Sequence, residues 1–320
     1  AWVCAFTCLW MLAIHGADLR WKAPVSGPWS HPENWDPPAV PSPADTVDID
    51  QPGTYEISVD QDTTVARLSL GNPTGIQTLR MASGKRLSVT EQGNVNPGGF
   101  LSLLYGTLDG RLEIGASGRL AADGGGPKTL TGELTIAVGG QCDWRGWDYD
   151  GNGSLWLNTL RVSNEGTLRW LSGEVICTGT VVSNRGLWQV EGPGRFTDFS
   201  VESASAIHNL GIIRKSIGAN YARFEVRTLL NSGRIEVEQG SLGWIGGRGT
   251  LGGEWAAAPG ASLALTGRLT NDTAVTFSGD AVFGQGDLWL GGAGQPSGLS
   301  LVSGTLHLLP AFQGGSITNL

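Results

Sequence analysis

The residues whose types and spacing come closest to a chemical site lie in the stretch DYDGNG, Asp148 to Gly153. Asp148, Asp150 and Asn152 place side-chain oxygens at alternate positions and a Gly follows, which is how a twelve-residue EF-hand calcium loop begins. In that register position 12 calls for a bidentate Glu, and the chain has Thr159 there. The flanking stretches CDWRGW and SLWLNTLRV read as strands, where an EF-hand needs helices. Asp, Asn and Gly are also the ordinary residues of a tight turn. The stretch reads first as a turn between strands, and second as a weak calcium site built on Asp148, Asp150 and Asn152. No other cofactor is expected.

Other reactive groupings are sparse. The four His residues, His15, His31, His208 and His307, are scattered and suggest neither a metal triad nor a charge relay. No Ser sits in a G-x-S-x-G elbow. GWIGGRG, from Gly243 to Gly249, is glycine-rich but opens no strand–helix unit that could cradle a phosphate. RIEVEQG sets Glu236 and Glu238 outward together on one strand. Paired carboxylates can hydrolyse a glycosidic bond when held about 5–10 Å apart, yet alternating charge is also how a strand meets water. A polysaccharide lyase or glycoside hydrolase is therefore the alternative reading, and no catalytic residue is assigned.

The elements that would position any site come from an internal repeat. VSNEGTLRW from Val162, VSNRGLWQV from Val182, IHNLGIIRK from Ile207 and LLNSGRIEV from Leu229 align without gaps as apolar-x-Asn-x-Gly-x-apolar. Asn164, Asn184, Asn209 and Asn231 thus recur every 20–25 residues, and LTNDTAVTF from Leu269 adds Asn271 two repeats further on. SGKRLSV, ASGRLAA, GASLALTG and SGTLHLL echo the same turn-then-strand pattern. A period of this size with strands and no amphipathic helix implies a β-solenoid whose coils stack about 4.8 Å apart. The Asn residues are expected to form a ladder from coil to coil, at bends where Asn and Gly tolerate left-handed backbone angles. The alternation stacks Leu168, Trp188, Ile213 and Ile235 in one interior column and Trp170, Val190 and Val237 in the next, where Lys215 is expected to reach solvent from a strand end. Outward, Arg214 and Glu236 are expected to pair across coils.

Composition agrees with this architecture. The chain has 320 residues, 50 Gly, 13 Trp and only 16% charged residues, too few for a fold made mostly of surface helices. A net charge of −8 argues against nucleic acid or an anionic membrane as partner, since either needs a basic patch. Residues 1–17, AWVCAFTCLWMLAIHGA, read as a signal peptide truncated at its start, which places the mature chain at the cell surface or outside the cell, with no membrane insertion. Residues 18–45, rich in Trp and Pro, read as an N-terminal cap, and 46–320 as the solenoid. Cys142 and Cys177 are the cysteines beyond the leader, and a disulfide and two buried thiols remain equal alternatives. NGS at Asn152 and NDT at Asn271 are glycosylation sequons; a ladder position buries Asn271 and leaves it unmodified.

The opening W…G-x-W…N-W…VP…D-x-V-x-I and the N-x-G-T-L type repeat resemble secreted and cell-surface right-handed parallel β-helix proteins, the autotransporter-like passengers and adhesin-like surface proteins. The resemblance implies a rigid extracellular rod with an adhesive or scaffolding part to play, and supplies no catalytic residues. The expectation is an all-β, right-handed parallel β-helix that binds glycan or matrix. Exposed aromatic faces stack on sugar rings, and Trp29, Trp35 and Trp147 are the candidates. A passive spacer for a domain elsewhere is the further alternative.

Overall fold

The computed structural model describes residues 16–147, 153–200, 204–271, 273–291 and 298–312. The chain is an all-β parallel solenoid of about 11 turns, with no α-helix among the described residues. One coil shows how the sequence builds it. Strand Leu155–Asn164 bends in the middle, so that 155–158 and 161–164 form two arms of one sheet. Strand Thr167–Thr178 then supplies the third side with 167–170 and opens the next coil with 175–178. We call these sides the first arm, the second arm and the flat sheet.

Alternation decides what each side buries. In LWQV, Leu187–Val190, Trp188 and Val190 are buried while Leu187 and Gln189 face out. Leu168, Trp188, Ile213 and Ile235 lie in register and are buried, as the spacing predicts. The next column runs Trp170, Val190, Lys215, Val237. Lys215 departs from its expected place: its side chain is fully buried, and Nζ donates to the Ile217 carbonyl at 3.0 Å. Buried Val237 and Ala257 continue the column, so the strand-end position does not free the lysine. Burial pushes its pKa below the ordinary lysine value. Aromatic rings fill the middle of the core, with Trp188 5.5 Å from Phe196 and 5.2 Å from Phe224, both edge-on. Burying one such ring contributes roughly 1.5–3 kcal/mol.

The corner between the two arms is a column of residues with positive φ, among them Gly110, Gly132, Thr159, Gly267 and Gly286. A Cβ on Gly132 would lie 2.2 Å from the Gly110 carbonyl oxygen, so stacking itself demands glycine there. The Asn-x-Gly corner works differently from the sequence expectation. None of the four Asn residues, and none of Gly166, Gly186, Gly211 and Gly233, has a positive φ. These glycines are required by close approach: a Cβ on Gly186 would meet the Gly166 carbonyl oxygen at 2.3 Å. Turn chemistry and coil stacking select the same residue for different reasons.

At the N-terminal end, strand Asp18–Trp21 pairs in parallel with Thr46–Ile49 and antiparallel with Trp35–Asp36. The fold-back pairing covers a strand edge that would otherwise be open to another chain. Trp35 packs edge-on against Trp21 and Trp29, with centroids 4.9 and 4.8 Å apart. Cys142 and Cys177 are both buried and unpaired, one in the flat sheet and one in the first arm. Burial pushes the Cys177 thiol up to about 12 and the Cys142 thiol well above its usual value, so neither is a reactive thiolate.

Candidate functional site

The expected site residues fall in different places. Asp148, Asp150 and Asn152 lie outside the described residues, and the strands on either side, Gln141–Arg145 and Leu155–Asn164, are not helices. Thr159 occupies the corner between the arms with φ 50°. Among the described residues no group of His, Cys, Asp and Glu is placed to hold a metal. Trp29 and Trp35 are fully buried, and this corrects their assignment as sugar-stacking residues: their ring faces are spent on each other and on Trp21 in closing the end of the core. Trp147 is 47% exposed and bridges to Glu174. Trp156, at 39%, neighbours the same strand two residues further along, at Ile176.

Asn164, Asn184, Asn209 and Asn231 stack in register and are buried. Each Nδ2 donates to the Oδ1 of the next, at 2.6, 2.7 and 2.7 Å. The first three also donate to a backbone carbonyl, of Leu187, Ile212 and Arg234, and Asn231 to Gly252. Asn271 is buried further along the column, beyond Leu251.

The carboxylate pair is occupied. Glu236 accepts from Arg214 and from Arg234, Arg214 also lies 3.4 Å from Glu238, and Arg234 reaches Glu254 at 3.1 Å. The same outer face carries Arg119, Asp143, Arg169 and Glu191 in a second network. Glu236 is thus committed to two guanidiniums, one on the preceding coil and one on its own strand. This face is a row of cross-coil ion pairs.

A different face carries an open groove. On the second arm, one outward column runs Leu230, Thr250, Thr270, Trp289, His307, and the column beside it runs Thr228, Arg248, Arg268, Asp287, Thr305. Two small Thr residues between Leu230 and Trp289 leave a notch three coil steps long, about 14 Å at the spacing of stacked strands. The groove encloses about 500 Å³ and is lined by Leu230, Arg248, Thr250, Arg268, Thr270 and Trp289, among others. His307 stacks on one face of Trp289 with centroids 4.5 Å apart and planes 8° from parallel. That contact fixes the indole and leaves its other face toward Thr270. His307 Nε2 lies 2.9 Å from Asp287 Oδ1, and this hydrogen bond holds the Asp287 carboxyl below the usual carboxylate range. Arg268 Nε is 3.6 Å from the same carboxylate.

These residues come from strands with the pattern GxLxL or its variants, spaced 18–20 residues apart, and the outward alternation of RGT, RLT, DLW and TLH is the signal that could have found them. Reading outward columns only after each Asn-x-Gly missed them, because those columns lie on the flat sheet, whereas the groove residues stand on the second arm, before the Asn position. Comparisons of the chain with protein-family models, with curated proteins and with solved structures gave no match.

Proposed function

We propose that the protein is an extracellular rod scaffold that binds glycan through the second-arm groove. The solenoid supplies the rigidity, and the groove supplies a site with the character of a sugar subsite. The observation that carries the reading is Trp289, clamped on one face by His307 and set beside hydroxyls and guanidiniums. An aromatic face packs against the C–H face of a sugar ring, while Thr250, Thr270 and the arginines can hydrogen-bond its hydroxyls. The ring is pre-oriented, so little side-chain entropy is lost on binding. Residues 1–17, read as a leader, support the extracellular setting. Trp147 and Trp156 offer a second exposed aromatic pair on the first-arm side of the rod.

A glycan array with the purified chain and with Trp289→Ala tests the reading. Wild-type binding that falls at least about tenfold in the variant, with an unchanged melting midpoint, is the expected result. Absence of binding to any glycan, or equal binding by the variant, would overturn it.

A further inference from the structure

We infer that the saccharide taken by this groove is anionic, carrying carboxylate or sulfate groups; the inference rests on the glycan-binding reading above. Arg248 and Arg268 are register partners in successive coils, on the outward side of the second arm. Like charges stacked directly across strands are destabilising. Elsewhere the fold offsets such a contact. Arg195 and Arg223 are also register partners, and Glu225 pairs with both, at 2.8 and 2.6 Å. No acid bridges Arg248 to Arg268 among the described residues. Asp287 lies 3.6 Å from Arg268 but is hydrogen-bonded to His307, and Arg248 has no ion-pair partner among the described residues.

Arg248 and Arg268 line the groove from strands one coil step, about 4.8 Å, apart, with Trp289 at its end. In a chain with 29 acidic and 21 basic residues, this is a local excess of positive charge beside an aromatic face. Guanidinium is the side chain best matched to a planar carboxylate or to sulfate oxygens, because its donors form a fixed fork. An anion between Arg248 and Arg268 would take the place that Glu225 holds between Arg195 and Arg223. The ligand itself completes the charge pattern.

The test measures affinity of the whole chain for three hexasaccharides: an oligogalacturonate, a sulfated oligosaccharide and an uncharged glucan. Wild type, Arg248→Gln and Arg161→Gln are compared. Arg161 is exposed on the same arm, four coils away, and stacks on Glu133 and Val181. Expected is preferential binding of one or both anionic chains, weakening with added salt. Arg248→Gln should lower that affinity roughly tenfold, a larger loss than it causes for the glucan and with no fall in the melting midpoint, and Arg161→Gln should have no effect. The stronger of the two anionic arms identifies the group recognised. Equal affinity for glucan with no effect of Arg248→Gln overturns the inference and leaves the glycan-binding reading standing. Equal losses in both variants also overturn it, since overall charge rather than the groove would then be at work. Binding of none of the three, with no glycan bound on the array, overturns the glycan-binding reading as well.

Discussion

The inward column at the end of the second arm is built in two chemistries. In the early coils it is aliphatic: Ile49, Leu70, Val95, Ile114 and Ile136 stack in succession. In the next four coils the same position holds Asn164, Asn184, Asn209 and Asn231, equally buried. The strand register runs unbroken through both regions, while the corner that follows shortens: residues 137–140 join Ile136 to the flat sheet at Gln141, and only 165 and 166 join Asn164 to Thr167. Aliphatic coils are stabilised by apolar area removed from water, a force without direction that tolerates sliding between similar residues. Asn coils are held by a donor-to-acceptor chain that works only when every member is at its own level. A buried polar group is costly when unpaired and close to neutral when fully bonded, so the ladder adds register more than it adds stability.

The sharpest way to break the comparison is at the glycine two residues past each ladder Asn. Gly186→Ala puts a Cβ against the Gly166 carbonyl, with no flexible side chain to give way. It should destabilise the chain by about 3 kcal/mol, measured by denaturant unfolding. Gly260→Ala is the companion: its φ is +82° but no atom lies within 4 Å of the added Cβ. It carries backbone strain alone and should cost about 1 kcal/mol. Equal costs at the two sites would remove close approach as the reason for the Asn-x-Gly glycines.

A smaller effect is expected within the ladder. Asn184→Leu leaves the Nδ2 of Asn164 and the Oδ1 of Asn209 without their side-chain partner and should cost about 2 kcal/mol. Replacing Asn164, Asn184, Asn209 and Asn231 together by Leu converts the region to the chemistry of the early coils. The quadruple variant should cost much less than four times the single one, since no amide is left half-satisfied. Additive losses would mean that each Asn acts alone through its backbone carbonyl, and that the ladder is incidental.

How much of this was legible in the sequence follows from the same physics. The 20–25-residue spacing exposed the solenoid because each coil must present the same residue types at the same corners, and the two-residue alternation placed Leu168, Trp188, Ile213 and Ile235 in one column. Lys215 was misplaced because alternation gives the direction of a side chain and not the depth of the surroundings. Trp29 and Trp35 were misread because a Trp-rich stretch looks alike whether its rings close a core or face a sugar; what separates the cases is the packing of Trp21 against them. The groove was illegible because it depends on small Thr residues from coils about 20 residues apart, which matter only once Leu230 and Trp289 are known to rise at either end.

Lys215 gives the finest test, because it is a single polar residue in an apolar column where the Asn residues are four in a row. Of its three ammonium donors, one reaches a carbonyl among the described residues, that of Ile217. Lys128, also fully buried, donates to the carbonyls of Gly124, Gly126 and Gly153, at 2.5, 3.0 and 2.8 Å. Desolvation lowers the Lys215 pKa in the folded chain. Between that lowered value and the unfolded value of about 10.4, the unfolded chain holds the proton and the folded chain does not, so stability rises with pH. Below the folded value the penalty is fully present. Lys215→Met removes it, and the variant should be more stable than wild type by about 1 kcal/mol at pH 7, with the gap closing as pH approaches 10. Denaturant unfolding of both proteins at pH 7, 8.5 and 10 measures the gap. A gap that stays constant across that range would mean the lysine is solvated as an ammonium in spite of its burial, and that one carbonyl serves it as well as the ladder serves its amides.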